Sequence, residues 1–366
     1  MERVKLKDIC RLINGRAYKQ EELLDSGKYP VLRVGNFFSD KDFYYSDLEL
    51  EEDKYCDNGD LLFAWSASFG PKIWRGEKVI YHYHIWKMEL SDRVNKEFLY
   101  YYLFHLSERI KSEGHGGIMI HTTKAEMEER EFNLPTLEEQ IAVSEILNKV
   151  KSVIDKRNSE LAALDNLIKA RFVELFGYVH EDRFPKCKLR DVAHIKHGYA
   201  FSGEFFSEED NGVVLVTPGN FALGGGFQEV RNKYFTSDYP DEYVLHTGDL
   251  IVTMTDLSKK ADTLGYGAIV PDTEKIYLHN QRIGLFDKLD ERFNPIFVRW
   301  YMQTDEYRLE IVRTSTGSTV HHTSPDRILD SVIFVPPIEL QNEFVKFAKQ
   351  VDKSKFDNQF YYYKCS

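Results

Sequence analysis

Leu134-Pro135-Thr136-Leu137-Glu138-Glu139-Gln140 (LPTLEEQ) returns later in the chain as Val335-Pro336-Pro337-Ile338-Glu339-Leu340-Gln341 (VPPIELQ). Each box opens a helical stretch, and upstream of each the same landmarks recur in the same order. Val4-Lys5-Leu6-Lys7-Asp8-Ile9 matches Cys187-Lys188-Leu189-Arg190-Asp191-Val192, Gly15 matches Gly198, and Gly35-Asn36-Phe37 matches Gly219-Asn220-Phe221. Gly59-Asp60-Leu61-Leu62 matches Gly248-Asp249-Leu250-Ile251, and residues 95–102 (NKEFLYYY) match 294–301 (NPIFVRWY). The offset grows from 183 residues to 201, so the copies differ by loop insertions and not by rearrangement. Solenoid repeats run roughly 20–50 residues; a period this long marks a duplicated domain. Two similar modules in one polypeptide suit a two-part partner, of which double-stranded DNA with two half-sites is the commonest.

The 366 residues, 42% hydrophobic and 14% aromatic, are ample for two cores and connecting helices. Cys10, Cys56, Cys187 and Cys365 form no CxxC pair and read as reduced thiols of a cytoplasmic protein. The start MERVKLKDIC has no apolar h-region and no run nears 18 apolar residues, so neither a signal peptide nor a membrane span is expected. A net charge of −11 weighs against DNA, because neutralising phosphates takes Lys and Arg. Acidic stretches such as residues 47–53 (DLELEED) can, however, lie away from the duplex or face a protein partner.

β-forming runs predict strands over 30–34, 61–65 and 79–88 in the first copy, and over 212–216, 250–254, 267–270 and 276–285 in the second. A helix follows in each, over 96–112 and 295–313. Each module is therefore α+β, a curved sheet with helices against it. Between the modules Leu147, Ile154, Leu161, Ile168 and Leu175 recur every seven residues, with charged residues between them and Gly177 as a stop. That pattern predicts a coiled-coil seam over 138–176 that serves as a subunit interface. A helix of that length spans roughly 58 Å and would act as a rigid spacer; the competing reading is an amphipathic helix packed on its own domain. A second helix starts at Glu339, and its apolar spacing fails over 356–366 (FDNQFYYYKCS). The expected division is 1–137 and 178–337 for the two modules, 138–177 for the spacer and 338–366 for a shortened second helix.

This order of module, P-x-x-E-Q box, long helix, module, P-x-x-x-x-Q box and second helix resembles the specificity subunit of type I restriction-modification systems over almost the whole chain. A glycine-containing turn some twenty residues before each box strengthens the likeness. The resemblance implies two target-recognition domains, each reading one half of a bipartite duplex sequence, and two long helices paired antiparallel that fix the gap. It implies methyltransferase (modification) subunits, which carry S-adenosylmethionine and methylate adenine, docked on the helices, and ATP-driven restriction subunits completing the complex. The chain itself would be non-catalytic and without cofactor. Its motifs agree: it has no G-x-x-x-x-G-K-[ST] loop, no N-P-P-Y or D-P-P-Y tetrapeptide, no H-E-x-x-H spacing and no nucleophile motif.

Base and phosphate contacts call for Arg, Lys, Asn, Gln, Ser and Thr on loops held by a rigid core. One candidate pair of loops carries His115, Gly117, His121, Thr122 and Lys124 in the first copy and Thr316, Ser318 and His322 in the second. Another follows each Gly-Asp-Leu strand: Ser66, Ser68, Lys72 and Arg75 against Thr253, Thr255, Ser258, Lys259 and Lys260. These loops differ while their flanks match, as modules with different half-sites require. Asn280 and Arg282, in the trio Asn280-Gln281-Arg282, add base-reading chemistry on a predicted strand. Gly35-Asn36 and Gly219-Asn220 read as structural turns, and Phe37, Phe38, Tyr44, Tyr45, Phe201, Phe205 and Phe206 as core. The short second helix leaves open a silent variant, or a dimer that supplies the helix in trans. A protein-interaction adaptor that never meets DNA is the alternative of another class.

Overall fold

In a computed structural model of the chain, residues 1–39, 42–66, 69–113, 122–230, 232–258 and 260–363 are described, without the side chains of 112–113 and 356–363. Contacts divide it into two units, Met1–Arg157 and Asn158–Ser366.

The first unit runs β1 (Glu2–Lys5), β2 (Cys10–Asn14), β3 (Tyr29–Leu32), α1 (Val34–Phe38), β4 (Tyr44–Ser46), β5 (Tyr55–Cys56) and β6 (Leu61–Ala64). It continues with β7 (Gly70–Ile73), β8 (Val79–Tyr81), β9 (Ile85–Leu90), α2 (Lys96–Glu113), α3 (Lys124–Glu128) and β10 (Glu131–Leu134), and α4 (Leu137–Phe176) follows. The expected curved sheet is two four-stranded sheets, β2-β9-β6-β7 and β4-β3-β8-β5, with β1 and β10 paired beside them. The first is antiparallel throughout; in the second, β3 and β8 run parallel.

The second unit repeats the plan. Its strands are β11 (Lys186–Lys188), β12 (Ala193–His197), β13 (Phe206–Ser207), β14 (Val213–Val216), β15 (Lys233–Phe235), β16 (Val244–Leu245) and β17 (Leu250–Thr253). Then come β18 (Thr255–Asp256), β19 (Gly267–Ile269), β20 (Ile276–His279), β21 (Ile283–Leu289), β22 (His321–His322) and β23 (Val332–Phe334). Its helices are α5 (Pro295–Tyr301), α6 (Asp305–Thr314), α7 (Pro325–Leu329) and α8 (Ile338–Tyr363). The sheets are β12-β21-β17-β19 and β13-β15-β14-β20-β16, with pairs β11-β23 and β18-β22. Strand for strand, β12, β21, β17 and β19 stand where β2, β9, β6 and β7 stand in the first unit.

Three expectations change. The runs 79–88 and 276–285 are each two strands, because the chain leaves one sheet and enters the other at residues 82–84 and 280–282. Tyr81 belongs to the ladder with β3, whereas Ile85 opens the ladder with β6. The helix over 295–313 breaks at residues 302–304, where Thr304 takes an extended conformation and its hydroxyl donates back to the Tyr301 carbonyl at 2.8 Å. Finally, α8 persists to Tyr363 although its apolar spacing fails. Of the aromatics assigned to the core, Phe37 and Phe201 are buried, while Phe38, Tyr44, Phe205 and Phe206 are exposed; Tyr45 is half-buried.

The repeated boxes start α4 and α8 by one device. Gln140 is fully buried; its Oε1 accepts from the Asn95 amide at 2.8 Å, and its Nε2 donates to the carbonyls of Arg93 at 3.1 Å and Pro135 at 2.9 Å. Gln341, equally buried, makes the same three bonds to Asn294 (2.9 Å), Arg292 (2.8 Å) and Pro336 (2.9 Å). At α4 a capping box is added: Thr136 Oγ1 accepts from the Glu139 amide and the Glu139 carboxylate from the Thr136 amide.

The far end of α4 belongs to the second unit. Ile168, Phe172 and Phe176, spaced by four, are buried among Phe297, Phe334 and Phe344. Gly177, at φ +70°, ends the helix, its amide still donating to the Val173 carbonyl. Alongside runs α8, antiparallel, joined by Arg171–Glu343 at 2.8 Å and Asp165–Lys355 at 2.5 Å.

The heptad seam is therefore not one continuous partner face. Ile168 is core; Leu175 packs against that core; Leu161 and Ile154 are half-buried; Leu147 is exposed. The period of seven hid the period of 3.6 that packs Ile168, Phe172 and Phe176 into their own unit.

Replacing Gln341 by Ala would leave the Asn294 amide and the Arg292 and Pro336 carbonyls without this partner. We expect roughly 3 kcal/mol lost from the second unit, read in denaturant unfolding as an earlier transition. An unchanged midpoint would mean that water satisfies these groups.

Candidate nucleic-acid interface

Where the chain changes sheets, each unit builds the same hydrogen-bonded strip. In the first, the corner His82-Tyr83-His84 is fixed by Tyr83 N to Arg16 O at 3.0 Å and Ile85 N to His82 O at 2.9 Å. Trp65 N then donates to His84 O at 3.1 Å, and Thr122 N to Trp65 O at 3.4 Å. In the second unit the corner is Asn280-Gln281-Arg282, fixed by Gln281 N to Tyr199 O at 2.9 Å and Ile283 N to Asn280 O at 3.0 Å. Met254 N donates to Arg282 O at 2.9 Å, and Thr323 N to Met254 O at 2.9 Å. The four bonds correspond one for one.

Gly15 and Gly198 make this possible. A Cβ on Gly15 would lie 2.3 Å from the Tyr81 carbonyl oxygen, and one on Gly198 2.1 Å from that of Asn280. Only glycine lets the strand before the corner lie against the corner's backbone, which accounts for its recurrence.

The side chains differ where the backbones agree. The first strip is aromatic: His84 meets Trp65 edge-on at 4.9 Å, the Tyr83 ring lies tilted at 3.9 Å from His84, and Arg33 lies over Tyr44 at 5.3 Å across a neighbouring cleft lined by Arg33, Asn36, Tyr44, His82 and His84. Burial, aided by His84 and Arg33, holds His82 down at about 4, and burial lowers His84 as well. His82 is thus a neutral imidazole at neutral pH, able to donate and accept. The second strip is polar. Thr255 faces His322 across the β18–β22 ladder, with Thr255 Oγ1 3.1 Å from His322 Nδ1, and Thr316 pairs with His322 by backbone bonds of 3.0 and 2.9 Å.

The structure sorts the sequence candidates. Arg282, Thr316 and His322 are exposed on the second strip, Ser318 is exposed on the loop between Thr316 and His322, and Lys260 is exposed on the β18–β19 loop. That loop is pinned by buried Asp256, whose carboxylate accepts from the amides of Ser258 and Thr263 at 2.5 Å each and from Thr263 Oγ1 at 2.7 Å. Ser258 Oγ accepts from the Asp262 amide at 2.9 Å, and Ala261 takes the left-handed conformation at φ +52°.

Other candidates hold the fold. Thr253 is fully buried and its hydroxyl donates to the Thr255 carbonyl at 3.0 Å; Thr255 itself is buried. Asn280 turns inward, its Oδ1 accepting from the Arg282 amide at 3.0 Å. In the first unit Ser66 and Thr122 are buried beside Trp65, and Lys124 pairs with Glu128 at 3.6 Å. Lys72 Nζ donates to the Phe37 carbonyl at 2.6 Å. Arg75, though exposed, lies past the opposite end of the β6–β7 ladder, next to Trp74, whose amide reaches back to Asp60. Neither joins the strip. Ser68, His115, Gly117, His121 and Lys259 lie outside the described residues. Sequence reasoning missed His82, Tyr83 and His84, which sit in a run of strong β-formers; the signal was their offset from residues 280–282, equal to that of their flanks. Asn36 and Asn220 are structural as expected: each accepts from the backbone amide three residues back, and Asn220 is fully buried.

A duplicated module that sets a fixed backbone strip at matching positions and varies its side chains defines a two-part recognition protein. Comparison with known proteins gives it a family. The sequence model described as the type I restriction modification DNA specificity domain matches residues 1–165 and again 182–359; the chain belongs to that family, as a DNA specificity subunit. It is 24% identical over 375 residues to the MjaVIII type I restriction enzyme specificity subunit of Methanocaldococcus jannaschii, spanning 96% of this chain and 86% of that one. With the EcoBI specificity subunit of Escherichia coli it shares 21% over 169 residues, 46% of this chain and 36% of the relative. The fold is that of the type I restriction-modification S subunit from M. genitalium, at a TM-score of 0.55 and 15% identity over 98% of this chain and 91% of that one.

His279, directly before the second corner, braces it: its buried ring donates from Nε2 to the Ile283 carbonyl at 2.8 Å, and burial holds it down at about 4. The unfolded imidazole binds its proton near pH 6.5, so this contribution is complete above that pH and is lost as the pH falls toward 4. On the order of 3 kcal/mol of the second unit's stability should disappear across that window. Urea unfolding between pH 7 and 4 measures it, and His279→Phe should flatten that part of the slope.

Proposed function

We propose that the chain reads a bipartite duplex sequence, one half-site per unit, through the two corner strips, and holds the catalytic subunits of a type I complex on its helices. The observation that carries this is the pair of strips: identical backbone bonding, glycine-enforced placement and different exposed chemistry. A shared scaffold fixes the backbone that carries the reading side chains before binding, which lowers the ordering cost of recognition, and the divergence gives each half-site its own reader. Methyltransferase (modification) subunits would dock on α4 and α8, with restriction subunits completing the assembly. Along the first turns of α4 the exposed Ile141, Val143, Ile146, Leu147, Val150 and Val153 suit such docking.

The chain would supply no chemistry of its own; S-adenosylmethionine and ATP would be bound by its partners. It would act in the cytoplasm, where the target DNA is. Among the described residues no helix is long and apolar enough to cross a membrane.

Single-molecule sequencing of adenine methylation, in a methylation-free host carrying this chain and its partner methyltransferase, tests the reading. A split motif around a fixed gap is expected. No new methylation while the two proteins co-purify would make this a silent specificity subunit; failure to co-purify as well would favour the adaptor. Independently, Lys260→Ala should weaken DNA binding about equally for all sequences and reduce the salt slope of log K by about one.

A further inference from the structure

We propose that Arg282 is a base-reading side chain of the second unit and that its base is guanine; this deepens the reading above and rests on it. Four observations lead there. The Arg282 backbone is bonded on both sides, its amide to Asn280 Oδ1 at 3.0 Å and its carbonyl to the Met254 amide at 2.9 Å, so its position is fixed. Its side chain is exposed, and no described residue accepts from its guanidinium. Two other cations of the second unit are committed: Arg308 Nη2 donates to the Ala261 carbonyl at 2.7 Å, and Lys196 Nζ to the Glu242 carbonyl at 2.7 Å. Asn280 is turned inward on the corner itself, and the exposed Gln281 carries an amide, which pairs with adenine, and not a guanidinium fork.

An uncommitted guanidinium on a fixed backbone presents two parallel N–H donors. In the major groove guanine alone offers two acceptors, N7 and O6, at that spacing. Most protein–DNA hydrogen bonds go to phosphates, but a phosphate contact does not require a side chain fixed at the end of a backbone corner. At the matching position the first unit carries His84, a single ring against Trp65. The guanine fork therefore belongs to one half-site only.

The test uses the full chain with its methyltransferase. Wild type should give a split motif with guanine in one half-site. Arg282→Ala should let that one position accept any base while leaving the other half-site intact, and Arg282→Lys should retain guanine at reduced methylation. If Arg282→Ala abolishes methylation, binding of the complex to duplexes carrying each base in turn at every guanine of that half-site decides. Wild type should prefer guanine at one of them on the order of 10- to 100-fold, and the variant should show no preference there. Weakening equal for all sequences would make Arg282 a phosphate contact, and relaxation at a base other than guanine would refute the assignment; either overturns the proposal. A wild-type complex that methylates or binds no particular sequence overturns the proposed function and this inference together.

Discussion

The buried amide of Gln140, and of Gln341 in the second copy, is the constraint on which the architecture turns. Three backbone groups left unpaired by the loop before each domain helix and by the strand end before the box converge on one side chain. Glutamine alone among the neutral side chains of its length offers an acceptor and two donors in one plane. Aspartate or glutamate would leave two carbonyls facing an acceptor, and an apolar residue would leave all three groups unmet. The result ties the first turn of each long helix to the module behind it.

That tie explains how α4 can serve two masters. Its opening turns are locked to the first unit by Gln140, Ser144 and the Tyr101–Asn148 hydrogen bond of 2.8 Å. Its last turns are buried in the second unit through Ile168, Phe172 and Phe176. The helix is a shared structural member whose two ends obey different packing rules. A seven-residue period marks buried positions at the far end, Ile168 and Leu175, and an exposed one, Leu147, at the near end.

Much of this was legible in the sequence. The duplication, the boxes, the helix stop at Gly177 and the α+β character of each module follow from residue identity and spacing, because turns, caps and strand composition are local. What was not legible is non-local. The run Tyr81-His82-Tyr83-His84-Ile85-Trp86 has strand composition throughout, and only the partners on either side, β3 and β6, show that the chain changes sheets within it. Thr253 reads as a loop hydroxyl next to Thr255, yet its place in the central strand β17 seals it from solvent. Lys72 is chemically a phosphate ligand; the Phe37 carbonyl above it, thirty-five residues earlier, decides otherwise.

The corner strips are held by matching main-chain bonds, braced by Trp65 in the first unit and by His279 and Asn280 in the second, and Gly15 and Gly198 permit the close approach. The residues displayed there consequently carry little folding duty. On the proposed reading, a change of chemistry at Tyr83, Gln281 or Arg282, all exposed, leaves the sheet ladders and the glutamine clamps untouched. Such a scaffold separates the inheritance of shape from the inheritance of preference, so that new targets become accessible by single substitutions without passing through poorly folded intermediates.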